Sequence, residues 1–315
     1  MSQDTRPLFI SESDVHDLVD MRSAIDALKS SFREQAAGDA LNSPRTRARY
    51  WGSRLNIMSA GQKSGRFGFK AYAGTRAPTV YHVMLYDSGS GLIAIIEARR
   101  LSRLRTGAAT GVATELLAKQ EPIKLALIGA GEQARTQLEA IAAVRRLSAC
   151  SVYARNRENL VAFCNAVSKE LGIDLTPAAK PEECVSGADV IVTATNSQTP
   201  VVLDEWIGEG THINTIGANA ANRMELEPIT FERAKLVVTD DIDQARIEAG
   251  ELIRCAEGGR LTWNDVSTLA NIVADPPRQR AGLSIFKSLG AAIEDVAVAS
   301  AVYDMALAQG RGTKL

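Results

Sequence analysis

A short apolar stretch at residues 125–128 leads directly into Gly129-Ala-Gly131-Glu-Gln-Ala134, and a helical pattern follows over residues 137–146. An apolar run without alternation is typical of a strand that is buried on both faces of a parallel sheet. Between such a strand and a helix, Gly129 permits a tight turn, Gly131 lets a pyrophosphate reach backbone N–H groups, and the small Ala134 lets the helix pack closely. The segment therefore predicts a turn that binds the phosphates of a dinucleotide.

Strand-like and helical stretches alternate on both sides of this turn's helix. Apolar runs recur at residues 151–153, 190–193, 212–215 and 236–238, and helical stretches separate them. This alternation is typical of a doubly wound parallel sheet with helices on both faces. We predict an α/β fold with a Rossmann dinucleotide-binding domain over residues 120–288, in which the β/α series ends near residues 284–287.

The chain before residue 120 has a different pattern. Ser11 and Asp14 predict a capped short helix, helical spacing from Met21 stops at Gly38, and strands follow between residues 45 and 97 with a hairpin turn at 87–91. A last helix over residues 291–308 has an apolar face that needs a partner surface. We expect that helix to return to the first domain, so that residues 1–119 and 289–315 form a discontinuous α+β domain, with residues 309–315 as a frayed tail.

Composition and charge exclude several classes of partner. The 36 Lys and Arg residues nearly balance the 37 Asp and Glu residues, so no net field attracts nucleic acid or an anionic membrane. No stretch approaches the roughly 20 apolar residues of a membrane span, and the first residues carry no signal sequence, so we expect a cytoplasmic protein. The four cysteines are far apart and lack CxxC spacing, which predicts neither a metal site nor a disulfide framework.

The end of the second predicted Rossmann strand bears on the choice between the two nicotinamide dinucleotides. An Asp or Glu at this point accepts hydrogen bonds from the ribose of NAD. This chain instead has Ala154-Arg155-Asn156-Arg157, whose guanidinium groups suit a 2′-phosphate. We therefore favour NADP(H) as the cofactor and keep NAD(H) as the alternative, in which case the arginines belong to a solvated loop.

Three basic residues, Arg45, Lys70 and Arg105, belong to the part of the first domain that we expect to face the cofactor. Each of them, taken singly, is more often a surface charge. Together they would suit a small carboxylate substrate, because charge-assisted hydrogen bonds are strong and a guanidinium binds a carboxylate with two prongs. Spacing alone leaves both interpretations open.

Four segments resemble the ornithine cyclodeaminase and mu-crystallin family: residues 129–137, residues 97–111, the segment around Lys70 and residues 286–295. The resemblance runs over nearly the whole chain. It implies a bound nicotinamide cofactor and a homodimer formed through the first domain. It also implies that the residues matching Arg45, Lys70 and Arg105 hold a substrate carboxylate, which makes the first domain the substrate-binding and dimerisation domain.

One departure from the family pattern narrows the expected chemistry. After the strand at residues 212–215, the family's cyclodeaminases carry an aspartate that handles the attacking amine, whereas this chain has Asn219. An amide cannot act as a general base, so cyclisation of ornithine is disfavoured. We predict hydride transfer to the α-carbon of an imino acid, either a cyclic ketimine such as pyrroline-2-carboxylate or an imine formed from a 2-oxo acid and an amine. A cyclodeaminase-type lyase that recycles bound NAD, and a non-catalytic small-ligand binder of the mu-crystallin type, remain as alternatives.

Residue roles follow from this chemistry. Arg45 and Arg105 hold the carboxylate, and Lys70 either joins them or donates a proton to the developing amine, with its pKa lowered by the cationic neighbours. Asn219 is a further candidate for substrate binding, and pocket volume is expected to depend on Asn56, Met58, His82 and Asn219. A purely structural role for His82 is also open. The predicted cofactor-binding residues are Gly129, Ala130, Gly131, Glu132, Gln133, Arg155, Asn156, Arg157, Thr195, Asn196 and Ser288.

Overall fold

The chain divides into two structural units. Unit 1 comprises Met1–Ala108 and Gly290–Leu315, and unit 2 comprises Ala109–Leu289. The structure is a computed structural model that describes residues 6–278 and 282–315.

The strands of the chain are β1 (Leu8–Ile10), β2 (Leu41–Asn42), β3 (Thr46–Tyr50), β4 (Ser53–Gly61), β5 (Arg66–Gly74), β6 (Tyr81–Asp87), β7 (Gly91–Glu97), β8 (Ile123–Ile128), β9 (Leu147–Tyr153), β10 (Thr176–Pro177), β11 (Val190–Thr193), β12 (His212–Thr215), β13 (Leu236–Thr239), β14 (Val266–Thr268), β15 (Ser284–Lys287) and β16 (Thr313–Lys314). Its α-helices are α1 (Glu12–Leu18), α2 (Met21–Ala36), α3 (Arg99–Leu117), α4 (Glu132–Val144), α5 (Arg157–Leu171), α6 (Pro181–Val185), α7 (Pro228–Arg233), α8 (Ile242–Glu248), α9 (Gly250–Glu257), α10 (Leu269–Ala274) and α11 (Ala292–Gln309).

Unit 1 is built on a mixed sheet with the strand order β16-β1-β7-β6-β5-β4-β2, to which β3 adds by pairing with β4. Helix α11 packs against α2 and against β4, β5 and β6, so the apolar face predicted for the last helix lies on this sheet. The capping box predicted at Ser11 is present, with Asp14 as its second member. The hairpin turn between β6 and β7 is held by Asp87, whose Oδ1 accepts the N–H groups of Gly89 and Ser90.

The last residues of the chain are ordered by strand pairing. Strand β16 pairs antiparallel with β1, and the N–H of Leu315 donates to the carbonyl of Pro7 at 3.1 Å. The expectation of a frayed tail over residues 309–315 was wrong, because β1 offers backbone groups on the edge that β7 leaves open and residues 313–314 pair with them.

The two faces of the central strands in unit 1 differ in character. Because β5 pairs in register with β4 and β6, Met58, Lys70 and Val83 share the face on which α11 packs. On the opposite face, side chains such as Phe67 and Tyr86 stack with ring centroids 5.4 Å apart. Several of these apolar side chains are partly exposed, with Phe67 at 45%.

Unit 2 contains a fully parallel sheet with the strand order β10-β9-β8-β11-β12-β15-β13-β14. The order reverses between β8 and β11, as in a doubly wound sheet, so the predicted fold class is confirmed. Strand β15 does not simply end the series at an edge: it lies between β12 and β13. The sheet core is apolar on both sides, in agreement with strands such as β8 that read as continuous apolar runs.

The boundary between the units falls within helix α3, eleven residues before the boundary at 119/120 that the sequence suggests. The second half of α3 is tied to unit 2 by hydrogen bonds. Asn214 donates to the hydroxyl of Thr114 at 3.1 Å, and Arg145 donates to the carbonyl of Glu115 at 2.6 Å. Within the described residues, no helix is long and apolar enough to cross a bilayer.

Candidate functional site

The turn between β8 and α4 has the geometry that its glycines predict. Gly129 has a φ of +124°, and a Cβ at this position would lie 2.5 Å from the carbonyl oxygen of Ala194. Only glycine fits both the conformation and the close approach. Gly131 is the N-cap of α4, and a Cβ placed on it would meet nothing within 4 Å. Open space therefore lies in front of N–H groups at the start of a helix, an arrangement that suits phosphate oxygens.

A cleft of about 870 Å³ extends from this turn to the loops that follow β9 and β11. It therefore lies at the point where the strand order reverses, which is where doubly wound sheets bind their ligands. Nine of the predicted cofactor-binding residues line it: Gly129, Ala130, Gly131, Glu132, Gln133, Arg155, Asn156, Thr195 and Asn196.

The two arginines after β9 take different positions. Arg155 lines the cleft and is exposed. Arg157 is absent from the described lining, and its Nη1 donates to the carbonyl oxygen of Ala178 at 3.2 Å. Between them, Asn156 caps α5 by accepting the N–H of Asn159 at 2.8 Å. Both arginines were predicted to bind the cofactor, but of the two only Arg155 lines the cleft.

Two other predicted residues lie away from the described lining of this cleft. Ser288 is buried, and its hydroxyl donates to Asp240 at 3.3 Å while its N–H donates to the carbonyl of Thr215 at 3.0 Å. Asn219 lies half-buried in the loop after β12. The cofactor role predicted for Ser288 thus has no support from the cleft geometry, because its hydroxyl, directly after β15, is bonded to the buried Asp240.

A buried group of charged side chains in unit 1 contains Arg45, Lys70 and Arg105, which the structure brings together. Lys70 on β5 donates from Nζ to Oδ1 of Asp295 at 2.7 Å, and Arg105 on α3 donates from Nε to the same oxygen at 2.9 Å. Nη1 of Arg105 also bonds Glu294 at 2.7 Å. We call these five residues the cationic cluster, because three cations face two carboxylates and the sum is positive.

Arg45 joins the cluster through the backbone of the 290 segment. Its Nη2 donates to the carbonyl of Gly290 at 3.0 Å, and its Nε contacts the sulfur of Met58, the residue paired with Lys70 across the sheet. Gly290 has a φ of +79°, and a Cβ there would overlap the guanidinium of Arg105. The absence of a side chain at position 290 is thus what lets Arg105 occupy its place.

Burial among like charges changes the protonation of Lys70. Its side chain is only 2% exposed. Burial, and then the positive charge of Arg105, lower the pKa of Lys70 to about 7, while the attraction of Asp295 opposes them and Arg45 adds to the decrease. A lysine whose pKa lies near neutrality can donate a proton as the ammonium and accept one as the neutral amine under ordinary conditions.

The two carboxylates of the cluster were not predicted from the sequence. Glu294 and Asp295 occupy the first turn of α11 and are fully buried. A signal for them was available, because buried charges require partners and this helix is otherwise almost wholly apolar where it packs. Two adjacent acidic residues in such a helix indicate that cations must meet them.

Three of the four residues expected to set pocket volume lie on the unit 1 sheet, where they separate between its two faces, while Asn219 belongs to unit 2. Asn56 and Met58 alternate with exposed residues on β4 and share the face of Lys70. His82 pairs with Ala71, the neighbour of Lys70, so it lies on the opposite face. The alternative that His82 has a structural role therefore fits the geometry, and a place beside Lys70 does not.

Comparisons with known proteins agree with this geometry. A sequence model of the ornithine cyclodeaminase/mu-crystallin family matches residues 5–310. Alanine dehydrogenase of Archaeoglobus fulgidus is 34% identical over 323 residues, which cover 98% of this chain and 98% of that protein.

Two solved structures are also similar to this chain over nearly its whole length. The Thermococcus litoralis Δ1-pyrroline-2-carboxylate reductase, solved in complex with NADH and L-proline, is 31% identical with a TM-score of 0.92, covering 98% of this chain and 100% of that one. An archaeal alanine dehydrogenase dimer with bound NAD is 32% identical with a TM-score of 0.91, covering 98% and 99%.

Proposed function

Because the chain belongs to the ornithine cyclodeaminase/mu-crystallin family, we propose that it is an oxidoreductase that reduces an imino acid with a nicotinamide dinucleotide as hydride donor. Two of the similar proteins are an alanine dehydrogenase and a pyrroline-2-carboxylate reductase, and in both of their reactions an α-carbon bonded to nitrogen changes oxidation state. The observation that supports the proposal most is Lys70, buried beside two arginines with a pKa of about 7.

The cationic cluster suits an α-imino or α-amino carboxylate. Arg45 and Arg105 are only 6% exposed, and a buried guanidinium binds a carboxylate strongly because water does not compete for its N–H groups. Glu294 and Asp295 fix the Arg105 side chain before a ligand arrives. Such preorganisation lowers the entropic cost of orienting a small substrate.

Lys70 supplies the proton in this proposal. Its Nζ carries a proton that Asp295 orients through the 2.7 Å hydrogen bond. In the reductive direction the Lys70 ammonium, held in place by this bond, donates another of its protons to the nitrogen of the substrate as the α-carbon is reduced. In the oxidative direction the neutral amine of Lys70 removes the proton from the substrate ammonium.

The residues of unit 2 fit a dinucleotide. The Gly129 turn leaves space at the start of α4, and the cleft continues along the loops after β9 and β11. When bound, the cofactor supplies the hydride. The Gly129 turn would hold the pyrophosphate of the cofactor, and Thr195 and Asn196 would line the part of the cleft formed by the loop after β11.

A substrate screen tests the function. Pyrroline-2-carboxylate, piperideine-2-carboxylate, and pyruvate with ammonia are each incubated with the enzyme and with NADPH or NADH, and ornithine is incubated with the enzyme and with NADP⁺ or NAD⁺. Net loss of reduced cofactor with one of the imino acids, or with pyruvate and ammonia, supports the reductase. Release of ammonia from ornithine without a net change of cofactor would indicate a lyase. Tight ligand binding without turnover would indicate a binding protein.

We propose further that NADP(H) is the preferred form of the cofactor. The support is the exposed Arg155 on the cleft, together with the lack of Asp or Glu among residues 153–157. We expect the Kd for NADPH to be about tenfold lower than that for NADH, since a guanidinium pairs with the added phosphate. Equal constants, or tighter binding of NADH, would remove this preference.

Two variants locate the source of the preference. Arg155→Ala is expected to weaken NADPH binding about tenfold and NADH binding little. Arg157→Ala serves as the matched control, because Arg157 bonds the carbonyl of Ala178 instead of lining the cleft. An equal loss in both variants would assign the effect to the general positive charge of the loop.

We also propose that the chain forms a homodimer through the unit 1 sheet. The support is the partly exposed apolar face that carries Phe67 and Ile57, since such patches usually mark protein contacts. Sedimentation equilibrium is expected to give twice the mass of one chain, and Phe67→Glu is expected to give a monomer. Leu307→Glu, at an exposed position on α11, is the control and should leave the dimer intact. A monomeric wild-type protein would contradict the proposal.

A further inference from the structure

A fully buried carboxylate next to the dinucleotide cleft, that of Glu225, contacts the loops that follow two neighbouring strands. We propose that Glu225 is a positioning residue for the nicotinamide half of the dinucleotide site, because it holds the loop after β11 against the loop after β12. Glu225 is not part of the described lining of the cleft, so it would act through the residues it bonds. The inference rests on the dinucleotide binding proposed above.

One carboxylate oxygen of Glu225 fixes the cleft wall. Its Oε1 accepts the backbone N–H of Thr195 at 2.6 Å and the hydroxyl of the same residue at 2.7 Å. The Thr195 oxygen in turn accepts the N–H of Ser197 at 3.2 Å. Thr195, Asn196 and Ser197 all line the cleft, so this one carboxylate oxygen determines the conformation of a continuous piece of its wall.

The other oxygen holds the neighbouring loop. Oε2 of Glu225 accepts the N–H groups of Gly217 at 2.7 Å and Ala218 at 3.2 Å, and the hydroxyl of Thr215 at 3.2 Å. A Cβ on Gly217 would overlap the backbone of Thr195, so the two loops approach each other as closely as backbones can. Without a bridging acceptor, the N–H groups of both loops would lose their shared partner in a buried setting.

The backbone of Glu225 is itself fixed on two sides. Its carbonyl oxygen accepts the N–H of Val201, another residue of the cleft lining, at 2.8 Å. Its N–H donates to Glu251 at 2.8 Å, and Glu251 lies 3.1 Å from the buried ammonium of Lys287. Glu225 is therefore a rigid point from which both loops are placed.

The strand order indicates which half of the cofactor lies near the two loops that Glu225 holds. In doubly wound sheets the end of the second strand binds the ribose next to the adenine. Here that end is the loop after β9, on one side of the reversal, whereas the loops after β11 and β12 lie on the other side. Glu225 should therefore affect the nicotinamide end and leave the adenine end unchanged.

Calorimetry on the 315-residue chain tests the proposal. The probes are NADPH and NADH, and for each its adenine-end fragment, which is 2′,5′-ADP or ADP. In Glu225→Gln an NH₂ group replaces one carboxylate oxygen and faces N–H donors, so the bridge is broken with little change in volume. We expect the Kd of the dinucleotide to rise about tenfold and the Kd of the fragment to stay within about twofold.

Two further variants keep the test decisive. Glu227→Gln is the matched control: the same substitution is made two residues away, at a side chain that accepts the Asp204 N–H outside the described lining of the cleft, and it should change neither constant. Thr215→Val removes one donor to Glu225 without adding volume to the core, and it serves if Glu225→Gln does not fold. It should raise the dinucleotide constant by a few-fold and leave the fragment constant unchanged.

The outcomes separate this inference from the proposed function. If wild-type protein binds the dinucleotide and the Glu225→Gln and Thr215→Val variants bind it equally well, the positioning role is overturned and the function stands. If the dinucleotide and fragment constants rise together, Glu225 is a general structural residue and the inference is overturned. If wild-type protein binds no dinucleotide, both proposals are overturned.

Discussion

Replacing Lys70 by methionine is expected to lower kcat for imine reduction on the order of 10³-fold and to leave the Kd of the dinucleotide within about twofold of the wild-type value. The substitution removes the only titrating proton donor that we assign to the reaction, while methionine fills a similar volume. Asp295 keeps its hydrogen bond from Arg105, so the remaining cluster stays paired. Steady-state kinetics and calorimetry give the two numbers.

Lys63→Met is the matched control for this substitution. Lys63 lies at the turn between β4 and β5, is exposed, and pairs with Asp39 at 2.7 Å. Removing its charge should change neither kcat nor the Kd. A Lys70→Met enzyme with normal kcat would exclude the proton-transfer role.

The pH dependence distinguishes proton donation from simple charge attraction at Lys70. Because the pKa is lowered from 10.5 to about 7, the protonated form predominates below pH 7 and is lost above it. The kcat/KM of reduction should therefore fall about tenfold per pH unit above pH 7, and that of the oxidative direction should rise through the same range. If the kcat/KM of reduction stays level up to pH 9, then Lys70 is not a proton donor whose pKa is lowered by Arg45 and Arg105.

The second large effect is expected from a residue that carries no charge. Gly290→Ala should lower kcat/KM for the imino acid on the order of 10²-fold, because the new methyl group would overlap the guanidinium of Arg105. Arg105 cannot move aside without giving up its bonds to Glu294 and Asp295. The Kd of the dinucleotide should change little, which calorimetry would measure.

Backbone strain at position 290 requires its own control. Gly91 has a φ of +78°, almost the same as the +79° of Gly290, but a Cβ at Gly91 would meet nothing within 4 Å. Gly91→Ala therefore imposes similar strain in the same unit without touching Arg105. If both variants lose activity equally, strain and not the position of Arg105 explains the loss.

Local sequence patterns predicted the parts of the molecule that depend on neighbouring residues. The turn at Gly129 was predictable because its conformation and the adjoining strand and helix lie within one short segment. The same holds for the capping box at Ser11 and for the hairpin turn at Asp87. In each case the physical constraint acts between residues a few positions apart.

Contacts between distant residues were beyond such patterns. The bond between Lys70 and Asp295 joins positions 225 apart, and no periodicity links them. The place of β15 between β12 and β13, which precede it in the chain, cannot be read from the composition of β15 itself. The grouping of Arg45 with Lys70 and Arg105 was reached through the family resemblance, because spacing alone left them as possible surface charges.

A labelling experiment tests the central claim most directly. The enzyme is given an imino acid that it turns over in the substrate screen, and reduced cofactor with deuterium at C4 of the nicotinamide on the transferred face. The account predicts one deuterium on the α-carbon of the amino acid formed, with one cofactor oxidised for each product molecule. Product without deuterium at the α-carbon, or deuterium retained on the cofactor while ammonia is released, would contradict it.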